Sequence, residues 1–241
     1  MRINKYIASC TNYSRRKADE LILGGFVSVN DVVITQLGWE IRKRDKVKVK
    51  GKLLTPPKNY EYARFYKPTG YITTKSDEKG RKTIYDIIPK EFSHLKPVGR
   101  LDKDSSGLII LTNDGDLINE LAHPSIKIPK LYRVTTDGDI KIEHLEAFAK
   151  GIKIDGKLAY CDSEILEKTK TLTTLEITLY QGLNRQIRKM FEHFGFKVKS
   201  LKRTKHAIIN ISGLKKGEVK AIKPKQIKQL KDYIEKIKKM G

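Results

Sequence analysis

The chain has 241 residues, 50 Lys+Arg against 28 Asp+Glu, a formal net charge of +22 and a hydrophobic share of 39%. That is enough chain and apolar material for one large domain or a small and a medium one, which excludes wholesale disorder. Its apolar runs, such as residues 108–111, are too short for a bilayer, MRINKYIASC lacks the apolar stretch of a secretory signal, and the distant Cys10 and Cys161 suit neither a disulfide framework nor a metal site. The expectation is a cytoplasmic protein without a membrane role, drawn to polyanions and to nucleic acid first.

Residues 1–50 read as a compact unit. Ile3, Tyr6, Ile7 and Cys10 share one helical face, and Ser14 caps a second helix with Ala18, Leu21 and Ile22 inward and Gly24-Gly25 at its end. A hairpin follows around Asn30-Asp31, and residues 46–50 alternate Lys and Val as a half-buried strand. Arg15, Arg16 and Lys17 stand in the first turn of the second helix, against its dipole, where an external anion is a natural counterpart. Residues 51–60, with Pro56-Pro57, read as a linker.

Residues 61–241 then alternate short strands with a few helices. The strands are expected at 62–66, 70–74, 108–112, 131–135, 163–167, 173–179, 198–201 and 207–211, and the helices at 115–122, 140–149, 185–194 and 225–240. In the last helix Ile227, Leu230, Ile234 and Ile237 form an apolar stripe that reads as docked core. Strands grouped in runs point to an α+β domain with a mixed, largely antiparallel sheet flanked by helices.

Charge is uneven: net +6 over residues 1–50, +4 over 51–196 and +12 over 197–241. Arginine is scarce, 12 against 38 lysines, and its planar fork suits phosphate or carboxylate recognition better than a lysine point charge. The arginines of interest are Arg15-Arg16, Arg100, and the pair Arg185 and Arg188.

Three segments could carry chemistry. Val98-Gly99-Arg100-Leu101-Asp102-Lys103-Asp104-Ser105-Ser106-Gly107 puts carboxylates in a Gly-bounded loop before a buried strand, where catalytic groups are often presented. On these residues alone, Asp102 fits a turn former better than a catalyst, and a glycosidase-like pair of Asp102 and Asp104 is a weaker alternative. In Gln181-Gly182-Leu183-Asn184-Arg185-Gln186-Ile187-Arg188-Lys189-Met190, Asn184 is expected to cap a basic amphipathic helix. Lys130-Leu131-Tyr132-Arg133-Val134 is strand-like, with Tyr132 a core residue or a site residue. Five scattered histidines show no metal spacing.

Together, in this order, these segments resemble the RsuA-type pseudouridine synthases of ribosomal RNA. Further matches are Tyr66-Lys67-Pro68-Thr69-Gly70, Thr112-Asn113-Asp114-Gly115-Asp116, Ala122-His123-Pro124 and Gly217-Glu218. The opening RINKYIA, the Ser14 to Lys17 run, Gly25-Phe26-Val27-Ser28-Val29-Asn30 and Asp45-Lys46-Val47 resemble the S4 RNA-binding domain, except that Asp31 stands where that family usually has Gly. The run QGLNRQIRKMFEHFGF followed by LKRT is most similar to the RluF type, which modifies large-subunit RNA.

The resemblance implies an isomerisation in which the bond from ribose C1′ to uracil N1 breaks, the base turns over and C1′ is rejoined through C5. It implies no cofactor and no metal, a monomeric chain, and ribosomal RNA, of the large subunit, as partner. Asp102 is the implied nucleophile, Arg188 its bidentate neighbour, and Tyr132 the ring that covers the uracil face. An aspartate is ionised at neutral pH, which suits a nucleophile or base. Ser14, Arg15, Arg16, Lys17, Arg100, Arg185 and Lys189 are the expected RNA contacts, with Arg100 placed to fill the space left by an extruded base or to clamp a neighbouring phosphate. Two alternatives remain: a non-catalytic S4-type RNA-binding or ribosome-assembly factor, and an N-glycosidase that releases free uracil.

Overall fold

Two short helices open the chain, α1 (Ile3–Cys10) and α2 (Arg15–Leu23), in a computed structural model that describes residues 1–57 and 59–240. Ile3 and Ile7 of α1 are sealed against Ala18, Leu21 and Ile22 of α2. The Ser14 hydroxyl accepts a hydrogen bond from the Lys17 backbone at 3.0 Å, capping α2 as expected, and Gly25 at φ +72° turns the chain away from its end. Strands β1 (Val27–Val29) and β2 (Val32–Val33) meet at Asn30-Asp31, both with positive φ (52° and 68°), as a tight hairpin turn requires. Asp31 thus holds a left-handed conformation without being glycine, and its carboxylate pairs with Lys48 of β3 (Val47–Val49) at 2.5 Å.

Strand β4 (Lys52–Leu53) completes the sheet order β2-β1-β3-β4. It lies inside the segment 51–60 that reads as a linker. Lys50 and Gly51, at φ 48° and 75°, fold the chain back onto β3, a turn that needs no sequence signal beyond one glycine. Lys58 of that segment lies outside the described residues, as does Gly241 at the end of 61–241. The chain divides into two units, Met1–Tyr60 with Asn113–Gly115, and Glu61–Thr112 with Asp116–Gly241.

The second unit follows the order β5 (Tyr62–Lys67), β6 (Lys96–Pro97), β7 (Ser106–Thr112), α3 (Gly115–Ala122), β8 (Lys130–Asp137), α4 (Ile142–Lys150), β9 (Ile152–Ile154), β10 (Lys157–Ala159), β11 (Asp162–Lys168), β12 (Leu172–Leu179), α5 (Gln186–His193), β13 (Val198–His206), β14 (Ile209–Asn210), β15 (Val219–Ala221) and α6 (Pro224–Met240). The main sheet runs β11-β12-β8-β13-β7-β5-β15; only the β13–β7 pair along this path is parallel. This is the mixed, largely antiparallel sheet of an α+β domain. Alternation along β7 separates two cores. Ile109 and Leu111 join Phe65, Tyr132 and Val134 with Ile187, Met190 and Phe191 of α5, while Leu108 and Ile110 join Leu117 and Leu121 of α3 with Ile227, Leu230 and Ile234 of α6.

Several elements differ from the sequence expectations. Residues 70–74 form a loop with a single bridge, Ile72 to Thr83, because their polar groups hold a neighbouring loop instead of a ladder. Strand β13 runs to His206 rather than ending at 201, since it is flanked on both sides by β8 and β7. Ala207 at φ 52° breaks the strand expected over 207–211, leaving the short β14. The β9–β10 hairpin, closed at Asp155-Gly156 with φ 49° and 74°, was unforeseen, although an Asp-Gly turn is its usual signal.

The parallel pair depends on Gly107. It sits at φ +117°, and a Cβ there meets the Arg203 carbonyl oxygen at 2.3 Å. Gly107→Ala is expected to cost roughly 3 kcal/mol through strain and displaced pairing. Chemical denaturation measures this, and a loss below about 1 kcal/mol contradicts the tight β7–β13 approach.

Candidate active site

Residues 101–105 precede β7, and each of their backbone carbonyls accepts a hydrogen bond. Thr73 Oγ1 donates to Leu101 O at 2.8 Å, Lys67 Nζ to Asp102 O at 3.0 Å, the Gly70 backbone to Lys103 O at 2.8 Å, Arg188 Nη2 to Asp104 O at 3.0 Å, and Lys67 Nζ again to Ser105 O at 2.7 Å. The Leu101 backbone N–H returns a bond to Thr73 Oγ1 at 3.2 Å. Polar backbone near a core needs partners, and here they come from β5, from the loop after it and from α5. The Asp102 carboxylate itself is half-buried and makes no hydrogen bond among the described residues.

Lys67 is the main donor. It is fully buried at the end of β5, and its third bond goes to Pro68 O at 3.0 Å. Burial pushes its ammonium down to about 8, against the opposing pull of the Asp102 and Asp104 charges. Sequence reasoning passed over this residue as a site candidate. The signal was there: Ala63, Phe65 and Lys67 share the inward phase of β5, and a lysine in that phase needs partners.

Arg188 is buried on α5, with Nη1 donating to Val198 O at 3.1 Å and Nε sealed without a partner among the described residues. Burial lowers its pKa, Arg185 lowers it further, and Asp104 and Asp102 oppose both, so these four charges share one field. The bidentate Arg188–Asp102 pair implied by the resemblance is absent among the described residues. The guanidinium is occupied by two backbone carbonyls, and it holds the Asp102 loop through Asp104 O.

Tyr132 is buried on β8, opposite Arg203 of β13, which in turn stands opposite Gly107 of β7. Two strand spacings, about 10 Å, therefore separate Tyr132 from Gly107, the second residue after the Asp102 loop. Tyr132 and Leu101 belong to one core cluster, so the ring and the loop lie on the same side of the sheet. Arg203, almost wholly buried, fixes β7 by donating from Nε to Leu108 O at 2.7 Å, and sequence reasoning missed it too.

The expected RNA contacts divide by availability. Arg100 is exposed and makes no ion pair among the described residues. Arg185 lies 3.9 Å from Asp104 Oδ2, so Asp104 faces a cation and forms no matched carboxylate pair with Asp102. Arg185, not Asn184, is the N-cap of α5, at φ +50° with no side-chain cap; Gln186 Oε1 instead reaches back to the Leu183 N–H at 3.3 Å. Lys189 pairs with Asp155 in the β9–β10 turn. In the first unit Ser14 is occupied as the cap and Lys17 pairs with Glu20 at 2.6 Å, whereas Arg15 and Arg16 are exposed without an ion pair among the described residues. Among the described residues no three His, Cys, Asp or Glu side chains could share a metal ion, and no helix is long and apolar enough to cross a membrane.

The model of the RNA pseudouridylate synthase family matches residues 61–193, and that of the S4 domain matches residues 1–47. The chain is 39% identical over 233 residues to ribosomal large subunit pseudouridine synthase B of Bacillus subtilis (strain 168), covering 95% of each chain. It is 39% identical over 220 residues to the dual-specificity RNA pseudouridine synthase RluF of Escherichia coli (strain K12), covering 90% of this chain and 74% of that one. A crystal structure of a pseudouridylate synthase superposes with a TM-score of 0.70 at 27% identity, over 95% of this chain and 99% of the other.

The buried ammonium of Lys67 has a signed consequence for stability. Its folded pKa is depressed to about 8 while an unfolded lysine titrates near 10.4, so between these values the unfolded chain binds more protons. The contribution of Lys67 therefore becomes more favourable as pH rises from about 8 to about 10.4. Lys130, also held near 8 by burial, behaves alike, so the comparison is with Lys67→Met, in which Lys130 is unchanged. The stability of the protein relative to Lys67→Met is expected to rise across that window. A difference that is flat with pH contradicts a desolvated Lys67.

Proposed function

The chain belongs to the RsuA-type RNA pseudouridine synthases, and from that membership we propose that it isomerises one uridine of large-subunit ribosomal RNA with Asp102 as nucleophile. It is an RNA pseudouridine synthase, an isomerase of the ribosomal RNA-modifying branch with an S4 RNA-binding domain ahead of its catalytic domain. The observation that carries the proposed site is the Asp102 loop, in which every carbonyl is bonded while the carboxylate is not. Such a group is fixed in place yet available to a substrate atom, which is what positional catalysis without a redox change asks of a protein.

In this reading Arg188 and Lys67 hold the loop, and Tyr132 lies against the uracil ring. Exposed Arg100 enters the space vacated by the extruded base, an extrusion that costs a few kcal/mol and least in a loop. Arg15 and Arg16 grip phosphates without reading sequence. The large-subunit target rests on the name of the Bacillus subtilis relative, and a cytoplasmic, monomeric enzyme is the simplest form of the proposal. A degenerate, purely RNA-binding copy is disfavoured because Asp102, Tyr132 and Arg188 are all retained.

Pseudouridine mapping of total RNA from cells with and without the gene is expected to show one large-subunit position lost. Asp102→Ala is expected to abolish conversion at that position with essentially unchanged RNA affinity; full activity refutes Asp102 as nucleophile, and release of free uracil refutes isomerisation. Replacing Arg15 and Arg16 by Gln is expected to flatten the salt dependence of binding by about 1.5 in log–log slope, leaving the single-turnover rate at saturating RNA unchanged. An unchanged slope removes these two residues from the RNA interface.

A further inference from the structure

Helix α6 takes no part in the site, yet it carries six lysines against two acids. At 100° per residue its side chains sort into separate faces. Ile227, Leu230 and Ile234 are buried against Leu108, Ile110, Ala207, Ile209 and Ile222. Lys225, Lys228, Lys236 and Lys239 fall within an arc of about 80° on the opposite side. All four are exposed, and none makes an ion pair among the described residues. The two lysines on the flank are engaged: Lys231 lies over the Tyr62 ring at 5.7 Å, and Lys238 pairs with Glu120 and Glu235 at 2.7 Å each. One acid, Asp232, shares the outer arc, leaving it at net +3.

Place and chemistry say what this face suits. The four lysines span 15 residues, about 21 Å of helix from first to last, enough to follow several phosphates of a nucleic-acid backbone. Flexible point charges without an arginine fork or a stacking aromatic fit phosphate without sequence readout. The helix packs on the core that holds Leu108 and Ile110, whereas Tyr132 and Leu101 belong to the core on the other side of the sheet. The lysine arc points away from the sheet, across a helix about 10 Å wide. RNA touching it is therefore remote from the nucleotide at Asp102.

We propose that the Lys225, Lys228, Lys236 and Lys239 face of α6 is a second RNA-binding surface, which holds the phosphodiester backbone of a segment of the substrate RNA distant from the isomerised uridine. This rests on the RNA pseudouridine synthase reading for the identity of that RNA, and it makes the contribution of the face depend on RNA length.

The test compares the full chain with its K225Q/K228Q/K236Q/K239Q variant on two RNAs, a whole large-subunit rRNA domain containing the mapped uridine and a short oligonucleotide that spans only that uridine. Far-UV circular dichroism and thermal melting establish that α6 stays folded. On the long RNA the slope of log affinity against log salt is expected to fall in magnitude by about 3, and a four-arginine variant is expected to keep the original slope. On the short RNA, affinity and conversion are expected to be unchanged. An unchanged slope on the long RNA overturns the proposal, as does an equal loss on both RNAs, which marks a general charge effect. Absence of pseudouridine from every reaction refutes Asp102 chemistry at that uridine, while a slope difference confined to the long RNA still supports the α6 surface.

Discussion

The arrangement of the site depends on one buried ammonium. Lys67 gives all three of its donors to backbone carbonyls, two of them within the Asp102 loop, at 3.0, 3.0 and 2.7 Å. Burying a cation is costly, and what offsets the cost here is three oriented carbonyls together with the nearby charges of Asp102 and Asp104. An apolar residue at the end of β5 would leave two carbonyls of the 101–105 segment without these donors in a place where water has little access. The lysine thus fixes a loop that has no regular secondary structure, and it does so from a strand whose own position is set by pairing with β7 and β15.

From that constraint the rest of the site follows in layers. The loop runs straight into β7, so whatever fixes β7 also fixes Asp102. Strand β7 is held on one side by β5 and on the other by the parallel contact with β13, where Gly107 lets the backbones approach and Arg203 reaches Leu108 O. Strand β13 carries that alignment to β8 and Tyr132. Helix α5 closes the remaining side, its Arg188 joining the loop to Val198 at the start of β13. Each buried cation in this chain of contacts donates to backbone carbonyls, so its charge acts on the site at a distance while its hydrogen bonds act as struts.

Much of the frame was legible in sequence because local signals there agree with one another. The Ser14 cap, the Gly24-Gly25 stop, the Asn30-Asp31 turn, and the apolar stripe of α6 each stand in a single short segment. What resisted reading was set by partners distant in the chain. Residues 70–74 have strand-like composition, but Gly70 and Thr73 give polar groups to residues 103 and 101, contacts that no local pattern announces. Asn184 is a good cap by type, yet Gln186 bonds to Tyr160, Gln181 and Leu183, and Arg185 takes the left-handed conformation at the helix entry. The resemblance supplied Asp102, Tyr132 and Arg188 together. The direct Arg188–Asp102 pair that it implied depends on side-chain geometry and is not formed among the described residues, where Arg188 holds two backbone carbonyls instead.

The charge total takes on physical meaning once the cations are sorted by burial. Buried ones, Lys67, Arg188 and Arg203, are turned inward onto the protein's own carbonyls, and their burial leaves them little to offer an RNA phosphate. Exposed ones, Arg15, Arg16, Arg100 and the outer lysines of α6, form no ion pair among the described residues. A desolvated cation that is already bonded holds a geometry, whereas a solvated and unpaired one attracts a polyanion and exchanges easily. On the proposed reading, an enzyme that grips a long RNA and aims the Asp102 carboxylate at one ribose needs both kinds. They cannot be the same residues, because a side chain that lets go of the loop to hold a phosphate would release Asp102 at the moment its position matters.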